Sequence, residues 1–259
     1  MIIRVFRCLS LFLFTVLWLP VNNVMAEEIH VLSAGAVEPG LVKVIAAFRR
    51  ETGRDAKVTF ATAPAISKRI DANDTDVVIA PPAVLDEWIK ARKAIQSDRV
   101  TIGRIGVGVM VRAGAPLPKI ATVDEFKQSL LSAESLVYNQ ASTGIYIEEL
   151  FVRLGIANQL KAKTTRYPDA AAVLRHVGEG KGNEIGLGAT TVIIEGESAG
   201  LKFVGPLPEE IQNYTGYAAI LAAEGAGSNA AREFLRYLTT PVAKQIFAAA
   251  GIMDWNPGK

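Results

Sequence analysis

The chain has 259 residues, 50% of them hydrophobic, and its 28 Lys and Arg against 26 Asp and Glu leave a formal charge of only +2. That balance excludes a broad nucleic-acid or polyanion surface, which needs excess cations gathered on one face, so any anion preference must be local. One cysteine and two histidines, with no i, i+4 His pair and no thiolate cluster, exclude a disulfide framework and give no basis for a metal site.

Residues 1 to 26 open with Arg4 and Arg7, run through a largely apolar stretch from Cys8 to Leu19, and finish at Val24-Met25-Ala26. This is the layout of a secretory signal peptide cleaved after Ala26, which predicts a periplasmic protein. The apolar run is shorter than the ~20 residues a membrane-spanning helix needs. Cys8 lacks a lipoprotein-like Leu-x-x before it. Removing 26 residues from 259 leaves 233, with no cysteine and with 26 basic residues (28 less Arg4 and Arg7) against 26 acidic ones. Such a chain must be held by its core, and it is long enough to have one.

After Ala26, short apolar runs at 29–33, 57–61 and 76–80 alternate with segments of helical spacing, which argues for a parallel sheet. In the first helix Leu41, Val44, Ile45 and Phe48 fall on one face, and Gly53 follows as a stop. The run "VTIGRIGVGVMVR" (100–112) reads as a long strand whose glycines at 103, 106 and 108 allow a bend or close backbone approach. It predicts a crossover between two lobes. Thr122-x-x-Glu125 is a capping box, and a second alternation follows: strand 135–139, helix from 143, strand 163–167, helix from 168, strand 184–188. Residues 216–222 read as a return strand, and the last helices, from Ser228 and Pro241, are expected to pack on the first lobe. The predicted fold is α/β, with two doubly wound lobes joined by a two-crossover hinge: 27–103 plus 216–259, and 104–215.

In open parallel sheets, ligands sit beyond the carboxyl ends of the strands. Those ends are "SAGAV", "ATAPA" and "APPA" in one lobe and "NQASTG", "TRYPD" and "GATT" in the other. Most lack bulky or charged side chains, so hydroxyls and free N–H groups would line a cleft; helix N-termini hold anions without a countercharge. The candidate ligand contacts are Ser33, Gly35, Ala36, Thr62, Ala63, Ser142, Thr143 and Thr190, with Arg104, Arg166 and Tyr167. Taken alone, Ser142 and Thr143 are more often simple N-caps than ligand contacts, and several such starts converging on one cleft favour the contact. Arg104 reads as a cleft charge or a surface hinge residue, and Arg166 as a site or a solvated residue.

Enzyme signatures fail on context. "GESAG" (196–200) matches the Gly-x-Ser-x-Gly elbow of serine hydrolases, but Ser198 lacks the strand before it and helix after it, and both His30 and His176 precede it. "GEGKGNE" (178–184) lacks the order of a phosphate loop and reads as a helix-ending turn. His176 reads as a surface or packing residue. No cofactor is expected.

The stretches "FRRETGRDAKVTFATAPAISKRI" (48–70), "DVVIAPP" (76–82) and "FLRYLTTPVAKQIFAAAGI" (234–252) resemble bacterial type II periplasmic solute-binding proteins, nearest their molybdate-binding branch. The resemblance implies closure over a small anionic solute, delivery to an ABC permease in the inner membrane, a monomer, and no chemistry. Molybdate binders of that branch place serines in the first two cleft loops, where this chain has Ala36 and Ala63, and a tyrosine near the last, where it has Ala189 and Thr190. The implied ligand is therefore a small organic di- or tricarboxylate, clamped further by Arg104 or Arg166. The alternatives are a molybdate-, tungstate- or sulfate-type oxyanion, and a sensing rather than a transport role.

Overall fold

The structure, a computed structural model, describes residues 28–71 and 73–256; the expected signal peptide lies outside them. In chain order the first lobe supplies β1 (Ile29–Ala34), α1 (Glu38–Thr52), β2 (Ala56–Ala61), α2 (Ala63–Lys68), β3 (Val77–Ala80) and α3 (Pro82–Lys90). The long β4 (Val100–Arg112) crosses to α4 (Val123–Ser132), β5 (Ser135–Asn139), α5 (Ser142–Arg153), α6 (Ala157–Leu160), β6 (Thr164–Tyr167), α7 (Ala170–Glu179), β7 (Glu184–Ala189), α8 (Thr190–Gly196) and β8 (Leu201–Pro206). β9 (Tyr214–Leu221) returns, and α9 (Asn229–Tyr237) and α10 (Pro241–Ala249) close the fold.

The strand order is β2-β1-β3-β9-β4-β7-β5-β6, with β8 also on β4. β1 runs parallel to β2 and β3, and β5 runs parallel to β6 and β7, as the alternation of apolar runs and helices predicts. The joining strands are antiparallel. β4 pairs with β9 over Val100–Gly106 and then with β7 over Val107–Met110, so one strand serves both sheets. Its register shifts between Thr101 and Gly103, where Gly103 has φ 153 and a Cβ would lie 2.6 Å from the Met253 carbonyl oxygen. That close approach lets the C-terminal segment dock on the crossover, through backbone bonds of 2.8 and 2.9 Å between Arg104 and Met253.

Leu41, Val44 and Phe48 of α1 are fully buried in the first-lobe core, Ile45 packs partly against it, and Gly53 ends the helix in the left-handed conformation. That core also takes Phe234 of α9 and Phe247 of α10, so the terminal helices do pack on the first lobe. Phe48 meets Phe234 and Tyr237 edge-on, with both centroid distances 5.2 Å. Phe48→Ala is therefore expected to cost ~3–5 kcal/mol of stability, read as a lower denaturant midpoint, because it opens a cavity and unties α1 from α9 together. In the second lobe Glu125 N donates to Thr122 Oγ1 at 3.2 Å, while the Glu125 carboxylate accepts from Ala121 N at 3.1 Å. The reciprocal arm of that capping box thus falls one residue earlier than in its usual form.

Candidate functional site

A cavity of about 580 Å³ lies between the lobes, at the carboxyl ends of β1, β2, β5 and β7. The first lobe contributes Ala34 to Ala36, the first turn of α1 and Ala61 to Ala63; the second contributes Asn139, Ala141 to Thr143, Asp169 to Ala171 and Gly188 to Val192 in part. Small side chains at these loop ends keep the backbone exposed to the cavity. Val42, Phe60, Met110, Leu174 and Ile193 supply apolar wall.

Four helices begin at this cavity without a side-chain cap bond: α1 after Val37, α2 after Thr62, α5 after Ala141 and α8 after Ala189. Away from it, α4, α9 and α10 are capped by Thr122, Ser228 and Thr240, while α3 and α6 also start without a side-chain cap bond. Among the described residues, α7 is the one helix at the cavity with a side-chain cap, Asp169 accepting from Ala172 N at 2.9 Å. Ser142 and Thr143 are not N-caps, since they occupy the first helical positions of α5, and neither hydroxyl has a hydrogen-bond partner among the described residues. The Thr62 hydroxyl is likewise uncommitted. First-turn N–H groups of α2, α5 and α8 that lack a side-chain cap, together with free hydroxyls, can receive an acceptor-rich ligand, whereas at α1 the Glu38 N–H already donates to the Gly35 carbonyl and Pro39 has none.

The charged groups are few. Lys43 of α1 pairs with Glu195 of α8 at 3.1 Å across the lobes, with both side chains more than half exposed, so the bridge contributes ~0–1 kcal/mol. Thr191, 1% exposed, donates through Oγ1 to the Ala36 carbonyl at 2.7 Å, a second link across the lobes. Glu38, in the first turn of α1, has no cation or hydrogen-bond partner among the described residues, and partial burial pushes its carboxyl above the ordinary glutamate range. Tyr217 of β9 also lines the cavity. It is 3% exposed, its hydroxyl has no partner among the described residues, and burial pushes the phenol far above its ordinary value, so it stays a neutral donor.

The structure brings Gly35, Ala36, Thr62, Ala63, Ser142 and Thr143 together around this cavity, and places Ser33, Arg104, Arg166, Tyr167 and Thr190 outside its lining. Ser33 is fully buried, with its hydroxyl donating to the Ala34 carbonyl at 3.3 Å. Arg104 stacks its guanidinium 4.4 Å over Tyr214, on the strand paired with β4. Arg104→Ala is expected to leave ligand affinity unchanged in titration and to lower stability by ~0.5–1 kcal/mol through the lost cation–π contact. Arg166 pairs with Glu148 of α5 at 2.9 Å and lies over Tyr138. The Tyr167 hydroxyl is bound to His176 Nδ1 at 2.8 Å, and His176 Nε2 meets Ser135 Oγ at 3.3 Å, so this histidine ties α7 to β5 and β6. Thr190 opens α8, but the hydroxyl that reaches the other lobe is that of Thr191, one residue and about 100° further round the helix. Ser198 follows α8 in a short turn, its hydroxyl donating to the Glu195 carbonyl at 2.8 Å, and has no strand before it.

Residues 29–252 match a family described as bacterial extracellular solute-binding protein. The chain belongs to that family. The relatives of this solute-binding protein carry differing names. It is 30% identical over 231 residues to a Pseudomonas protein named aconitate isomerase, covering 86% of each chain. It is 27% identical over 240 residues to the molybdate-binding protein of Escherichia coli K12, covering 89% of this chain and 91% of the relative. The solved periplasmic molybdate-binding protein of Azotobacter vinelandii superposes with a TM-score of 0.74 at 16% identity, over 88% of this chain and all of that one. The solute-binding protein thus has the type II periplasmic fold of the molybdate-binding-like branch.

Proposed function

We infer that this protein is a periplasmic receptor that captures a small organic di- or tricarboxylate and presents it to an ABC permease in the inner membrane, after removal of residues 1–26. The observation that carries this reading is the set of uncapped helix starts and uncommitted hydroxyls facing one cavity from both lobes. An ionised carboxylate accepts several such hydrogen bonds, and charge-assisted bonds are about twice as strong as neutral ones. The cavity volume of about 580 Å³ falls within the ~300–1,000 Å³ typical of small-molecule sites. Alanine at 36 and 63, in place of the serines of the resembling molybdate binders, argues against a tetrahedral oxyanion.

Closure follows from where the contacts lie. A ligand held by α1 and α2 on one side and α5 on the other makes its full set of bonds only when the lobes approach, so it favours the closed state by that difference. The hinge would sit in β4 and β9, with lobe boundaries near residues 103–104 and 215–216. The molybdate-binding relative keeps a second reading in view. Calorimetric titration with citrate, aconitate, tricarballylate, molybdate and sulfate separates the two: heat with the carboxylates supports the first, and heat with molybdate alone transfers the site to an oxyanion.

A further inference from the structure

The walls of the cavity differ in chemistry. Met110, Val173, Leu174 and Ile193 line it and belong to a single packed cluster of the second lobe, so they form one continuous apolar wall between α7 and α8. A Cβ built on Gly196 of α8 would lie 3.4 Å from Leu174 Cδ2, so the two helices meet at this wall. Val42 of α1 lines the same cavity from the first lobe. It is 52% exposed, and it precedes Lys43, whose ammonium reaches Glu195 of α8. Polar side chains near this wall are already engaged: the Ser198 hydroxyl with the Glu195 carbonyl, and the Glu195 carboxylate with Lys43. Asp169 caps α7, and Glu38 is exposed to solvent. The uncommitted donors come from other elements. Thr143 of α5 and Tyr217 of β9 line the cavity at 7% and 3% exposure, with hydroxyls that have no partner among the described residues.

We propose that the cargo is a carboxylate bearing a hydrocarbon arm, its charged end held by the donors of Ser142, Thr143 and Tyr217 and its arm seated against Leu174, Ile193 and Val42. The proposal rests on the carboxylate reading above and narrows it. A carboxylate or hydroxyl pressed against the wall between α7 and α8 would lose its water and find no free side-chain donor there, which a buried polar group does not tolerate. An aryl or alkyl group in the same place releases water from both surfaces and needs no partner. A ligand that is polar at every end leaves this wall unused. Val42 and Leu174 stand on different lobes, so the arm gains its full cover only when the lobes approach. It therefore favours closure as well as affinity.

The test is calorimetric titration of the purified protein with succinate, 2-benzylsuccinate, citrate and tricarballylate. 2-Benzylsuccinate is succinate carrying a phenylmethyl arm, and it is expected to bind at least ~10-fold more tightly than succinate, since even one methylene in an apolar pocket is worth about that much. Leu174→Asn keeps the size of the side chain and removes its apolar character. It is expected to lower the ratio of the two affinities by ~10-fold, a readout that a general loss of stability does not move. Val42→Asn makes the same change at a residue more than half exposed, and it is judged by the same ratio if the first variant does not fold. Three results overturn the proposal and leave the receptor standing: no preference for 2-benzylsuccinate over succinate, tighter binding of citrate or tricarballylate than of 2-benzylsuccinate, or an unchanged ratio in the folded variant. Failure of all four carboxylates to bind overturns both.

Discussion

Replacing Ser142 by aspartate is expected to abolish carboxylate binding while leaving the fold as stable as before or slightly more so. Ser142 is the first residue of α5, half-buried at the cavity, with a hydroxyl that has no partner among the described residues. A carboxylate there meets the positive end of the helix, which favours the fold by ~0.3–1 kcal/mol. The same charge stands about 4 Å from a bound anion, where repulsion at an effective dielectric of 20 is about 4 kcal/mol. That corresponds to roughly a thousandfold loss of affinity. Calorimetry and thermal melting on one preparation check both halves. Undiminished affinity in this variant would place the ligand away from the start of α5.

Gly144→Ala is expected to damage fold and site together. A Cβ at residue 144 would lie 1.6 Å from the Asn139 carbonyl oxygen and 2.7 Å from its carbonyl carbon, so backbone has to move. Overpacking of this kind costs ~1–3 kcal/mol, and more where no flexible side chain can yield. The displaced backbone is the end of β5 and the first turn of α5, the wall that carries Ser142 and Thr143, so affinity should fall by at least about tenfold for a loss of one good hydrogen bond. Gly35 is the control: it lines the same cavity, but a Cβ there meets nothing within 4 Å. Gly35→Ala should change stability by no more than about 0.5 kcal/mol, read from the denaturant midpoint. Equal tolerance of both substitutions would show that α5 does not depend on this close approach.

Much of the fold is legible along the chain because its determinants are local. The spacing of Leu41, Val44 and Phe48 specifies a helix face, Gly53 specifies its end, and the glycine-bearing run from Val100 to Arg112 marks the crossing strand. The loop ends that line the cavity are legible for the same reason, since chain order in a parallel sheet places them on one edge. The candidate side chains that fall outside the cavity lining share a different feature. Arg166 is claimed by Glu148, 18 positions away, Arg104 by Tyr214 on the paired strand, and Tyr167 by His176. A cation or phenol at a strand end looks available until the element packed beside it is known.

Tyr217 and Glu38 carry the converse lesson. Tyr217 reads as an ordinary aromatic in an apolar return strand, and Glu38 as an acid suited to a helix start. Sequence alone determined that the chain builds two wound lobes with polar, uncharged loop ends, because propensity and periodicity act over a few residues. Only the tertiary structure decided which hydroxyls stay without partners, which carboxylate lacks a cation, and which phenol is buried against the cavity. Hydrogen bonding and burial are settled between residues as far apart as Ala36 and Thr191, and nothing in local spacing encodes those pairings.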